Sequence, residues 1–150
     1  MRFDLVVNLM TLSAFEKGQI TIMGGGRQWR PLVHVKDVVQ GLILLATGES
    51  QKVGGRVYNI GGCNEMQNLE LVTLLVDRLG KSRDLITHVA DRPGHDWRYA
   101  IDASKIRAEL GWTPTVDFEE GLRRTIAWYG EQRDWVESIS SGSYRRERLG

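Results

Sequence analysis

Residues 91–102 read Asp-Arg-Pro-Gly-His-Asp-Trp-Arg-Tyr-Ala-Ile-Asp, and no other stretch of the chain gathers so many chemically capable side chains. Asp91, Arg92, His95, Asp96, Arg98 and Asp102 surround a Pro93-Gly94 turn. Such a set could ligate a metal, move protons, grip a phosphate or simply solvate a loop. His88, Asp91, His95 and Asp96 supply metal-type donors, but their spacing matches no zinc pattern and Cys63 is remote in sequence. Nucleophilic catalysis has little support. No Gly-x-Ser-x-Gly occurs, and Cys63 sits between Gly62 and Asn64 without a basic neighbour to activate it.

Phosphate recognition fits better. Arg30 follows a Gly-rich turn, and Arg92 and Arg98 flank Pro93-Gly94. Arginine suits a diphosphate because its planar fork donates two parallel hydrogen bonds and keeps its charge. Asn59 ends an apolar run, where its amide could read a sugar or phosphate oxygen, and Asp91 is placed to orient Arg92. From spacing alone, solvated surface arginines remain an open alternative. Gly24-Gly25-Gly26 is read as a plain strand-to-strand turn. A phosphate loop needs such a turn to open a helix, and here a strand pattern follows. His34 lies in an apolar run and is expected to be a satisfied core or interface histidine.

The elements that must position these residues follow from periodicity and punctuation. A helix is predicted over 4–16, with Leu5, Val6, Leu9 and Leu12 on its core face. Strands are predicted at 19–23, 31–35, 57–60, 85–90 and 98–101. A well-buried helix over 37–47 lies between the second and third, so 31–60 should form a short βαβ unit with a parallel pair. Asn68 is expected to cap a helix whose face is Leu71, Val72, Leu75, Val76 and Leu79, with Gly80 at its end. Asp102 should cap a short helix that stops at Gly111. Asp117 and Glu120 have capping-box spacing ahead of a helix reaching about Tyr129. The tail from Ser138 is polar and weakly patterned.

The expected fold class is therefore α/β: a small mixed domain with a short βαβ unit, a small additional sheet and several packed helices, without a complete Rossmann fold. The 150 residues fit one domain spanning 1–150, with 41% hydrophobic residues to fill a core. A net charge of +1 points to no polyanion or membrane surface, and no basic stripe with interleaved aromatics suggests nucleic acid. No apolar run reaches membrane-spanning length, no signal peptide is recognised, and one cysteine excludes an internal disulfide, all as expected of a cytoplasmic chain.

The segment "DRPGHDWRYAIDASKIRAELGWTP", followed by "FEEGLRRTIAWY" and by "W…SGSYRRER", closely resembles the C-terminal part of dTDP-glucose 4,6-dehydratases, as does "YNIGGCNE" at 58–65. The front, "FDLVVNLMTLSAFEKGQITIMGGGRQWRPLVHVKDV", is more similar to related sugar-nucleotide epimerases and reductases. All are extended short-chain dehydrogenases/reductases. The resemblance implies a domain that closes over a nucleotide-sugar, dTDP- or UDP-linked. NAD and the chemistry would belong to a separate N-terminal Rossmann half, so no cofactor is expected in this chain. No Tyr-x-x-x-Lys is present: residues 62, 103, 133 and 148 stand four positions after the tyrosines, and none is lysine.

Residue by residue, the resemblance makes Arg30 and Arg92 the pair that clamps the diphosphate. Asn8 matches an asparagine near the phosphates, His95 and Tyr144 match contacts at the nucleotide end, and Asn59 matches a position near the same pocket. Two departures stand out. The dehydratases usually carry arginine where this chain has Trp97, and Asp-Trp where it has Pro31-Leu32. The expected function is nucleotide-diphospho-sugar binding without catalysis by the chain alone. The alternatives are an interaction module, which dimerises or complements a separate Rossmann-domain protein, and a truncated fragment without function.

Overall fold

The computed structural model describes residues 6–16, 18–62 and 64–141. Helix α1 (Val6–Glu16) precedes strand β1 (Ile20–Met23), and the Gly24–Gly26 turn leads into β2 (Trp29–Leu32). Then come α2 (Val35–Thr47), the single turn α3 (Ser50–Val53), β3 (Asn64–Gln67) and α4 (Asn68–Arg78). A short 3₁₀ turn (Arg83–Leu85) enters β4 (Ile86–Val89). Helices α5 (Ser104–Leu110), α6 (Phe118–Glu131) and α7 (Arg133–Ser140) complete the order.

The mixed α/β class holds, but its sheets are wired differently from the expectation. β1 pairs in parallel with β4, Ile20 beside Ile86 through Met23 beside Val89. β2 pairs antiparallel with β3, Trp29 opposite Gln67 and Leu32 opposite Asn64. The βαβ unit predicted over 31–60 is absent. Its first strand lies earlier, at 29–32, because His34 ends the extended chain by capping α2: its Nδ1 accepts from the Lys36 N–H at 3.3 Å. His34 is thus a cap rather than a core histidine. Residues 57–60 form no ladder among the described residues, and Val57 is 80% exposed. A β-branched run marks the capacity to pair, but pairing also needs a free edge alongside. The strand predicted at 98–101 reduces to a single parallel bridge, Trp29 with Arg98.

Local chemistry explains most helix ends. Asp117 accepts from the Glu120 N–H at 2.9 Å, and Glu119 and Glu120 suit the positive end of α6. Asp102 accepts from the Ser104 N–H at 2.8 Å ahead of α5, and Gly111 stops that helix with φ +68°. At α4 the cap is Gln67, not Asn68. The Gln67 N–H reaches the Glu70 carboxylate at 3.2 Å, so the helix starts one residue earlier than a cap at Asn68 would place it.

The main core joins α1, α4, α6 and the parallel pair. Leu71, Val72, Leu75 and Val76 of α4 are buried against Met10, Ala14, Ile20, Ile22 and Leu122. Each such side chain contributes about 1.5–3 kcal/mol by leaving water. Of the face predicted for α1, Leu9 instead turns outward, 45% exposed. A smaller cluster of Ala103, Ile106 and Trp112 receives Leu44, Tyr58 and Ile60.

Helix α2 is not the buried helix its composition suggests. Only Asp37 and Gly41 are buried, while Val35, Val39, Leu42 and Ile43 are exposed along one face. Asp37 ties the helix down. Its carboxylate accepts from Thr115 N and Oγ1, both at 2.8 Å, and from Val116 N at 3.2 Å, while its carbonyl accepts from Trp112 Nε1 at 3.0 Å. Burial pushes the Asp37 carboxyl up, but the bonds from Thr115 and Val116, helped by nearby His34, hold it below its usual value. Helix α7, within the stretch read partly as polar tail, packs Trp135 edge-on against Trp128 at 5.0 Å. Among the described residues no helix is long and apolar enough to cross a membrane.

Candidate functional site

An open cleft of about 1470 Å³ runs between α1, β2, α6 and the 91–101 segment. Its wall is mostly apolar, and Asn8, Arg30, Arg92 and His95 all face it. Four of the six residues singled out from the sequence are therefore brought to one place.

Arg30 projects from β2, opposite Met66 of β3. Its guanidinium is fixed on three sides. Nη1 donates to the Trp29 carbonyl at 2.7 Å; Nη2 donates to His95 Nε2 at 2.9 Å and to the Asp96 carbonyl at 3.1 Å. The Tyr99 ring lies under it, 4.8 Å from the guanidinium carbon. Tyr99 is itself held by a hydrogen bond to the Asp96 carboxylate, which raises its hydroxyl above the usual tyrosine value. Arginine has five N–H donors, so two remain to Arg30 for an acceptor in the cleft.

His95 is almost covered, its side chain 9% exposed. Arginine can only donate, so Nε2 of His95 must accept, and the ring proton belongs on Nδ1. That proton points to Asp91 Oδ1 at 2.6 Å. Asp91 also accepts from the Arg92 N–H at 2.9 Å and from Gln28 Nε2 at 2.8 Å. The His95 bond, helped by those from Arg92 and Gln28, outweighs desolvation and holds the Asp91 carboxyl below its usual value. Asp91 thus bonds the backbone of Arg92, not its guanidinium as the spacing suggested. Among the described residues the Arg92 side chain has no hydrogen-bond partner, and the residue is exposed.

The Gly-rich turn makes this arrangement possible. It is the strand-to-strand turn that was expected, and it also seats Asp91. A Cβ on Gly24 would lie 3.1 Å from Asp91 Oδ2, and Gly24 has φ +58°. The Gly24 carbonyl is bonded by His88 Nδ1 at 2.8 Å, so His88 is a brace at the end of β4.

Two other residues read from the sequence stand apart. Arg98 forms a two-pronged pair with Glu65 of β3, at 2.7 and 3.0 Å, which lowers the Glu65 carboxyl and removes Arg98 from the candidate clamp. Asn59 does not line the cleft; its Nδ2 lies 3.3 Å from the Asp102 carbonyl, joining 57–60 to the start of α5. Tyr144 lies outside the described residues. Sequence reasoning missed Gln28 and Tyr99 as site residues. An aromatic four positions after His95 was the one available signal, and nothing local marks Gln28. Among the described residues no group of three His, Cys, Asp or Glu could hold a metal ion, and both ring nitrogens of His95 are already occupied.

Residues 3–125 match the GDP-mannose 4,6 dehydratase family. The chain is 42% identical over 158 aligned residues to the dTDP-glucose 4,6-dehydratase of Neisseria meningitidis serogroup B, covering 98% of this chain and 44% of that protein. It is 42% identical over 149 residues to an Escherichia coli dTDP-glucose 4,6-dehydratase, covering 95% and 40%. The fold superposes on DesIV, the dTDP-glucose 4,6-dehydratase of Streptomyces venezuelae, with TM-score 0.82 and 38% identity over 90% of this chain and 41% of that one. UDP-glucuronic acid 4-epimerase of Bacillus cereus, solved with UDP-glucuronic acid and NAD, superposes with TM-score 0.78 and 25% identity, over 87% and 41%. The chain therefore spans about two fifths of the length of these relatives. The match over most of the chain, and the same extended short-chain dehydrogenase fold in dehydratase and epimerase alike, make this protein a member of the GDP-mannose 4,6 dehydratase family.

Proposed function

We propose that the cleft binds a nucleotide-diphospho-sugar, dTDP- or UDP-linked, with Arg30 and Arg92 gripping the diphosphate. The observation that carries this reading is the division of labour between the two arginines on one cleft. Arg30 is held rigid with two donors left, and Arg92 has an uncommitted guanidinium. Ordered, charged forks facing a mostly apolar wall suit a ligand with an anionic centre and less polar ends. Asn8 lies on the same wall and His95 borders Arg30. UDP-glucuronic acid in the B. cereus epimerase is a ligand of this class.

The described residues do not fit an NAD cradle. A dinucleotide site needs a Gly-rich turn opening a helix, and the Gly24–Gly26 turn opens β2. No Tyr-x-x-x-Lys supplies a proton-transfer pair. The reading therefore gives this chain binding and orientation of the substrate, and no hydride transfer by itself. Titration calorimetry with dTDP-glucose and UDP-glucose tests it. Saturable heat with either supports the reading, and none with both at millimolar ligand contradicts it.

A second reading rests on its own observation. Val35, Val39, Leu42 and Ile43 leave one face of α2 exposed, and the 57–60 run joins no ladder among the described residues. That surface suits a separate Rossmann-domain polypeptide, or a second copy, that would cover it. Light scattering of the purified chain distinguishes the two partners: a dimer favours self-association, and a monomer leaves the separate polypeptide.

A further inference from the structure

We propose that Asp91 is the positioning residue of the Arg30 clamp, acting through His95 and seated by the Gly24 turn. The inference rests on the nucleotide-binding reading of the cleft only for its consequence on affinity; the geometry stands apart from it. The relay has three joints. Gln28 Nε2 and the Arg92 N–H fix the Asp91 carboxylate at 2.8 and 2.9 Å. Asp91 Oδ1 takes the Nδ1 proton of His95 at 2.6 Å, which leaves Nε2 bare. The bare Nε2 accepts from Arg30 Nη2 at 2.9 Å. With the proton on Nε2 instead, two donors would face each other and Arg30 would lose its bond to His95, keeping only the Trp29 and Asp96 carbonyls. A carboxylate that never touches the ligand would thereby decide where the guanidinium points. This is the usual way a second group selects a histidine tautomer.

The seat is built for a carboxylate or its close isostere. Gly24 lets the Asp91 side chain approach, with 3.1 Å between a notional Cβ and Oδ2. Gln28 is 4% exposed, and its Oε1 is buried with no partner among the described residues. Turning the Gln28 amide over would offer that oxygen to an asparagine amide at position 91. The Oδ1 of such an asparagine would still accept from His95. Asp91→Asn should therefore preserve the relay, whereas Asp91→Ala should cut it.

The test uses the 150-residue chain labelled with ¹⁵N. Long-range proton–nitrogen correlations read the tautomer of His95, and hindered rotation of the Arg30 guanidinium nitrogens reads its anchoring. Calorimetry with dTDP reads affinity. The wild-type protein should show the proton on Nδ1 and a slowly rotating Arg30. Asp91→Ala should give mixed tautomers, faster rotation of the Arg30 guanidinium and roughly a 10-fold loss of dTDP affinity, the effect of losing one oriented charged bond. Asp91→Asn should retain the wild-type tautomer and most of the affinity. A purely structural role would lower the melting temperature without this pattern. The proposal is overturned if wild-type His95 carries its proton on Nε2, or if folded Asp91→Ala keeps both signatures of the wild type. If the spectra behave as described but dTDP binds no variant, the nucleotide reading fails and the positioning of Arg30 stands.

Discussion

Nη2 of Arg30 lies 2.9 Å from Nε2 of His95, across 65 residues of chain. The contact joins strand β2 to the turn after β4, and with Asp91 and Gln28 it makes the two loops one unit. Each arm of the proposed clamp is positioned differently as a result. Arg30 is held by bonds to Trp29, His95 and Asp96. Arg92 is aimed only by its backbone, through Asp91.

The two arginines that flank the Pro93-Gly94 turn should separate by experiment. Arg92→Ala should weaken dTDP binding about 10-fold or more, as expected for loss of a charge-assisted contact, and shift the melting temperature by no more than about 2 °C. Arg98→Ala breaks the pair with Glu65 on the far side of β3 and should leave dTDP affinity unchanged. Calorimetry and thermal melts on both variants check this.

Asp37 should matter for stability rather than for the ligand. Asp37→Ala strands three donors from Thr115 and Val116 at a position with no exposure. A loss of about 3 kcal/mol is expected, read as a lower urea midpoint with little change in slope.

Acid should unfold the protein through the depressed carboxylates. Glu120, forked by Arg123 and Arg124, sits at about 2 against an ordinary 4.5, and Asp37 and Asp91 lie below their ordinary 3.8. A carboxyl lowered by folding contributes stability that is complete above its unfolded value and is lost as pH falls through the folded one. Stability should thus be level above about pH 5 and fall steadily towards about pH 2. Glu120→Gln should flatten part of that acid limb and lower the neutral plateau by the same amount, which solvent screening of these exposed arginines keeps small. Urea melts across this range measure both.

The apolar face of α2 should govern association. Leu42 and Ile43 are 55% and 56% exposed, so Leu42→Glu with Ile43→Glu removes apolar surface without opening the core. The double variant should hold its melting temperature and lose any concentration-dependent oligomer seen for the wild type by light scattering.

The sequence was most legible where a local rule and the core agreed. The Leu71, Val72, Leu75 and Val76 stripe, the Asp117 cap and the Gly111 stop are all as the pattern predicts. It was least legible where the outcome depends on a partner edge or on distant chain. Val57 to Ile60 has strand chemistry but no ladder, and α2 has core composition but an uncovered face. At the cleft, charge and spacing pointed to Arg30 and Arg92, and the family resemblance added Asn8 and His95. Gln28 was out of reach because its role exists only once β1 and β4 lie side by side and bring 28 to 91.

The central claim is that Arg30 and Arg92 together grip a nucleotide diphosphate. Its most direct test is calorimetric titration of dTDP into the wild-type chain and into the Arg30→Ala/Arg92→Ala double variant, at low ionic strength where charge contacts are least screened. Saturable binding by the wild type that falls about 100-fold or more in the double variant is the predicted result, two charged contacts at roughly tenfold each. Equal affinities in two folded proteins, or no binding by the wild type at millimolar dTDP, would contradict it.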